Sequence, residues 1–144
     1  MVLAAAPHVA QASVRCGAIW GLPRGDRVGL GSACQLNLDE TWGGVYLGGM
    51  WTLSSAAAGA GFVDAGVALT FDALTWVPVL RVGVRQWAPR DVTGPTGLIV
   101  AIDVLTYTSL DTAVSVGLAQ EVCSSAPSSW GVMFALWRRI GSGL

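Results

Sequence analysis

The chain has 144 residues, room for one domain, and is 53% hydrophobic and 12% charged, with 19 glycines and no lysine. That composition excludes a disordered tail, and a formal net charge of −1 excludes a basic field of the kind that gathers nucleic acid. Three cysteines are too few for a disulfide framework.

So hydrophobic a chain raises the question of a membrane. A spanning helix needs roughly 18 consecutive apolar residues. The longest candidate, Gly97 to Leu105, is broken by Asp103, and around Val45 to Leu53 four glycines intervene, Gly43, Gly44, Gly48 and Gly49. A closed sheet is the other structure that satisfies every backbone group in lipid. The period-2 pattern of such a sheet runs through eight segments.

In chain order, residues 13–22 set Val14, Cys16, Ala18, Trp20 and Leu22 against Ser13, Arg15, Gly17 and Gly21. Residues 28–38 set Val28, Leu30, Cys34 and Leu36 against Gly29, Gly31, Ala33 and Gln35. Residues 42–53 oppose Val45, Leu47, Trp51 and Leu53 to Gly44, Tyr46 and Gly48. Residues 62–72 oppose Val63, Val67, Leu69 and Phe71 to Asp64, Gly66, Ala68 and Asp72. In residues 74–87, Trp76, Leu80, Val82 and Val84 alternate with Arg81, Gly83 and Arg85. In residues 97–108, Leu98, Val100, Ile102 and Val104 alternate with Ala101, Asp103 and Tyr107. Residues 112–122 oppose Val114, Val116 and Leu118 to Ser115, Gly117, Ala119 and Glu121. Residues 129–139 oppose Trp130, Val132, Phe134 and Leu136 to Gly131, Ala135 and Arg139. Each segment is about the 9–11 residues that a tilted membrane strand needs.

The predicted links alternate long and short. Pro23 to Arg27, Ser54 to Gly61, Ala88 to Thr96 and Cys123 to Ser128 are long, and Asp39 to Thr41, Asp72 to Ala73 and Ser109 to Asp111 are tight. An up-and-down meander with both termini on the short-turn side produces this alternation. Pro78 sits inside a predicted strand, where it removes a donor, and a bulge or a strand start near Val77 resolves the conflict.

Parity alone does not say which face is outside. A soluble eight-stranded barrel binding an apolar ligand turns the valines inward and shows water the other set. That other set is mostly glycine and alanine, which suits a narrow lumen better than a solvated strand surface. The fold class is therefore all-β, an eight-stranded antiparallel up-and-down transmembrane β-barrel. Trp20, Trp51 and Trp130 fall on the greasy face at the long-loop ends and Trp76 at the short-turn end, as in an interface aromatic girdle.

By pattern, length and loop alternation, residues 13 to 141 resemble the small eight-stranded outer-membrane barrels, the architectural class of OmpA and OmpX. The resemblance implies the outer membrane of a diderm bacterium and a structural or surface-interaction role. The expected partners are membrane lipid, lipopolysaccharide included, with no nucleic acid, cofactor or metal, and the expected state is a monomer. Residues 13–144 form the single barrel domain. Met1 to Ala12 reads either as a signal-peptide remnant, closing on Ala10-Gln11-Ala12, or as a mobile N-terminus.

Pairing the strands through their turns predicts a lumen charge network of Asp64, Arg81, Arg85, Asp103, Glu121 and Arg15. Asp64 and Asp103 flank Arg81 from neighbouring strands, Arg85 lies one inward position above it, and Glu121 lies on the next strand but one. Buried charges need such partners, so a self-satisfied polar plug is the expected state.

Some enzymes of this architecture act on lipid acyl chains, which keeps a lipid-modifying outer-membrane enzyme as an alternative. The one histidine, His8, lies in the N-terminal segment, and the outward polar residues Ser32, Gln86 and Gln120 have no base beside them. No catalytic residues are assigned. Cys16 and Cys34 are symmetric about Gly25 and share a face, which permits a cross-strand disulfide, but two unpaired thiols are the favoured reading.

Overall fold

The computed structural model describes residues 13–24, 27–38, 43–54, 57–71, 76–88, 96–123 and 128–142. They form eight strands: β1 (Ser13–Arg24), β2 (Arg27–Asn37), β3 (Gly43–Ser54), β4 (Ala57–Thr70), β5 (Val77–Ala88), β6 (Thr96–Tyr107), β7 (Thr112–Cys123) and β8 (Ser129–Ser142). Each strand pairs antiparallel with the next, and β8 closes the barrel on β1. Closure leaves no edge, so strands poor in side-chain contacts still satisfy their backbone.

The stagger of the ladder sets the barrel's dimensions. Paired residues lead from Ser13 through Asn37, Gly44, Ala68, Arg81, Ala101 and Ala119 to Gly131. Gly131 lies against the Leu22 and Pro23 carbonyls of β1, so one circuit advances the chain by about ten residues. At about 3.3 Å per residue and 4.8 Å between strands, this tilts the strands about 40° from the axis. A strand the length of β1 then rises about 30 Å, the thickness of a hydrocarbon core.

The faces settle which side is oil. Val67, Val82, Val100 and Val116 are 53%, 40%, 43% and 44% exposed, and the other apolar residues of their parity also point outward. The soluble alternative needs them on the axis, and they are on the wall. Inward, small residues alternate with Asp64, Arg85, Asp103 and Glu121, all buried. The interior is nevertheless greasier than glycine, alanine and ions. Ile19, Tyr46, Met50, Phe62, Trp87, Ile99, Met133 and Trp137 are buried there too, because large side chains from some strands fill the space that small ones leave on others.

The predicted alternation of links is corrected. Between strand bounds the links are two, five, two, six, seven, four and five residues long. The ladder runs through residues assigned to long loops, with β1 reaching Arg24, β2 starting at Arg27 and β4 starting at Ala57. Glycine and alanine carry no parity signal, so a sequence reading ends such strands early. Residues 89–95, the centre of the predicted Ala88 to Thr96 loop, lie outside the described residues, as do residues 1–12.

Two local expectations resolve cleanly. β5 starts at Val77, so Pro78 is its second residue, and its carbonyl accepts the Phe71 amide at 2.9 Å. Cys16 and Cys34 are directly paired across β1 and β2 and are joined as a disulfide, which corrects the expectation of free thiols. Registered partners on one face bring two Cβ atoms close enough to bridge.

Candidate functional site: the charged lumen

The β4–β5 hairpin pairs Asp64 with Arg85 and Ala68 with Arg81, four residues from the predicted register. Six residues separate β4 from β5, and Asp72 and Ala73, the predicted tight turn, lie outside the described residues. Asp64 therefore pairs with Arg85 rather than with Arg81. The lumen instead divides into three tiers.

In the tier nearest the β1–β2 link, Glu121 is the hub. It accepts from Arg24 Nη2 at 2.9 Å and from Trp87 Nε1 at 2.7 Å, and lies 3.5 Å from Arg85 Nη1. Arg85 also donates Nη2 to Asp64 at 2.8 Å and lies 3.8 Å from the Phe62 ring centre. Arg24 and Arg27 lie 4.3 and 5.9 Å from the Trp87 ring centre. The Cys123 thiol donates to Glu121 at 3.4 Å. The Arg85 and Glu121 side chains are each 2% exposed, so the carboxylate is held by four groups where water does not compete.

The middle tier is one ion pair. Arg81 grips Asp103 with two donors, Nε to Oδ2 and Nη2 to Oδ1, the latter at 3.1 Å. The guanidinium lies 5.2 Å from the Tyr46 ring centre. Gly117 makes the space: a Cβ there would come within 1.8 Å of Asp103 Oδ1.

Arg15 belongs to neither tier, which corrects its assignment to the network. It lies near the start of β1, at the end of the barrel that holds both termini, whereas Glu121 lies near the end of β7 at the opposite rim. Its cross-strand partner is Arg139. With the Asn37 amide turned so that its oxygen faces Arg15, that oxygen accepts from Arg15 Nε at 3.2 Å and Nη2 at 2.9 Å. Beside this lower tier, Trp137 Nε1 donates to Ser115 Oγ at 2.9 Å.

Sequence reasoning missed Arg24, Trp87 and Tyr46. Arg24 has the outward parity of β1, but the register shifts between Gly21 and Arg24, and that irregularity turns the side chain inward. Gly21 sits there with φ 155°, a backbone that side chains resist. No parity count reveals such a shift. Trp87 was legible, since it shares the parity of Arg81 and Arg85.

On the outer wall Trp20, Trp51, Trp76 and Trp130 are all exposed. Trp51 and Trp130 flank the rim away from the termini, and Trp76 lies at the other rim. Trp20 departs from the predicted end position. It is linked through Leu30 to Trp51, and the strand tilt sets it about 6 Å nearer the middle of the wall. There it stacks on Phe134, ring centres 6.3 Å apart.

An apolar wall of membrane height, closed around ion pairs and hydrogen bonds, defines a transmembrane β-barrel. Solved structures of that architecture superpose on it. The chain is similar to a de novo designed transmembrane β-barrel, with TM-score 0.69 and 12% identity over 89% of this chain and 95% of that one. It is equally similar to the N-terminal β-barrel domain of Pseudomonas aeruginosa OprF, with TM-score 0.69 and 8% identity over 91% and 98%. The Yersinia pestis outer membrane protein Ail matches with TM-score 0.60 and 8% identity over 91% and 99%. At such identities the likeness is one of fold. No family model matches the sequence, and no curated protein matches it.

Among the described residues no group of histidine, cysteine and carboxylate side chains could hold a metal ion. No helix of the described residues is long and apolar enough to cross a membrane.

Proposed function

We propose that this chain is a monomeric outer-membrane β-barrel of a diderm bacterium with a structural or surface-interaction role. Its lumen is plugged by its own side chains and performs no catalysis. The apolar wall contacts membrane lipid, lipopolysaccharide among it, and Trp51, Trp76 and Trp130 sit at its two interfaces, with Trp20 deeper in the wall. Asp64, Arg85 and Glu121 with Arg24, and Arg81 with Asp103, fill the bore and hold the strands in register. The β3–β4 and β5–β6 links face outward.

One observation carries the plug: Arg85 and Glu121, each 2% exposed, meet across the bore near the β1–β2 end, where Trp87 and Phe62 are also buried. An open aqueous pore solvates such groups instead. The likeness to the OprF barrel domain and to Ail supports the membrane assignment. The direct test is conductance across a planar bilayer after reconstitution. The expected result is no steady current, and a persistent ohmic conductance contradicts the plug.

A further inference from the structure

The outer wall is not evenly filled. Across β6, β7 and β8 it holds a groove of about 630 Å³. Paired residues mark its course: Val104 with Val116 at the deep end, Ile102 with Leu118 midway, and Gln120 with Trp130 at the mouth. Short valines make the floor, and Trp130 stands beside it as an exposed ridge. From Val116 to Gln120 the groove runs about 13 Å at 3.3 Å per residue, most of one leaflet of a hydrocarbon core about 30 Å thick.

The mouth carries a polar group with nothing to bind. The Gln120 side chain lies on the outward face, half-buried, and no described residue hydrogen-bonds its amide. Gln86, another outward glutamine, is satisfied at both ends. Its Oε1 accepts from Thr96 Oγ1 at 2.6 Å, and its Nε2 donates to the Trp87 carbonyl at 3.2 Å. Gln120 also lies below the rim: Leu98 and Val122, both exposed, stand above it. The strand tilt sets it about 3 Å nearer the middle of the wall than Trp130. An amide left unpaired beside hydrocarbon carries a free-energy cost that a hydrogen bond to a neighbour removes.

We propose that this groove binds one acyl chain of a membrane lipid, in the leaflet at the rim away from the termini, with Gln120 hydrogen-bonded to the ester or amide that joins the chain to its headgroup. The site rests on the lipid-facing wall proposed above and adds one preferred lipid position to it. Tryptophan at the interface marks headgroup level, so Gln120, just beneath Trp130, meets the linkage rather than the headgroup charge. Among the described residues the lining carries no charge, and its one amide offers a donor for a carbonyl and an acceptor for an N–H or hydroxyl. A second copy of the barrel presents a convex wall that leaves a narrow groove unfilled, whereas a flexible chain fills it.

The test uses the full chain in nanodiscs of ether-linked phosphatidylcholine. A small fraction of chain-spin-labelled phosphatidylcholine is added, ester-linked in one arm and ether-linked in the other. Relaxation enhancement of the Val104 and Val116 methyls reports the groove. Val45 and Val67, a registered and exposed pair on β3 and β4 at about the same depth, give the reference for lipid elsewhere on the wall. The groove pair should exceed the reference pair in the ester arm, by a factor about two- to tenfold larger than in the ether arm, the worth of one neutral hydrogen bond. Gln120→Leu should bring the ester arm down to the ether arm. Val132→Phe, which fills the groove and keeps Gln120, should bring both arms to the reference value.

A chain that does not insert into the discs contradicts the lipid-facing wall itself and takes the site with it. In an inserted barrel, equal enhancement at the two valine pairs, or a wild-type excess unchanged in both variants, overturns the site alone. An excess equal in the two arms overturns the role of Gln120. Enhancement at the groove that falls below the reference, and recovers only at one copy per disc, gives the groove to a second copy of the chain and overturns the lipid.

Discussion

The two ends of the lumen carry the same residue types in opposite states. Near the β1–β2 link, Arg24 and Arg85 converge on Glu121, and Asp64 takes a second donor of Arg85. At the other end, Arg15 and Arg139 face each other across β1 and β8, and an amide is the partner that braces Arg15. The difference teaches that burial of arginine does not by itself make a plug. What makes one is a carboxylate placed by register within reach of each guanidinium, with tryptophan and phenylalanine excluding water around it.

Substitutions can break that contrast. The largest effect is expected from Arg85→Ala, which strands Asp64 and shares Glu121 between fewer donors. Removing one partner of a buried ion pair costs about 3–5 kcal/mol, so the urea midpoint in detergent should fall far below that of the wild type. A midpoint near the wild-type value means the upper tier is hydrated.

An intermediate effect is expected from replacing Cys16 and Cys34 together with serine. Their disulfide closes a segment of 18 residues across the first hairpin, and loops of that size are worth about 3 kcal/mol in the unfolded chain. Reducing agent should shift the wild type toward the double variant and leave the double variant unmoved. A wild type indifferent to reductant shows that the hairpin registers without the bridge.

The smallest effect is expected from Arg15→Gln. Arg15 is half-buried and its brace is a neutral amide, so stability should change by no more than about 1 kcal/mol. A loss as large as that of Arg85→Ala erases the distinction between the two ends.

Much of the wall is legible in the sequence because side-chain period and burial coincide there. Val63 and Val67 on β4, or Val114 and Val116 on β7, state their face without help. The lumen is less legible, since its contacts depend on register, and register depends on links of no fixed length. The pairing of Arg81 with Asp103 is visible in the sequence, because both candidate registers leave them within reach. Asp64 changes its partner from Arg81 to Arg85 because the register lies four residues from the predicted one. Arg24 is hidden altogether by an irregularity beside Gly21 that inverts its parity. The pairing of Arg15 with Arg139 was invisible for another reason: only closure of β8 on β1 brings the two together.

The inverted polarity of the molecule is most directly measured by fluorescence in bilayers containing brominated acyl chains, using variants that each keep one tryptophan. Trp20, Trp51, Trp76 and Trp130 should be quenched by the bromines, while Trp87 and Trp137 should stay bright. Strong quenching of Trp87 and Trp137, with the wall tryptophans untouched, would place the oil inside and contradict a membrane-spanning barrel.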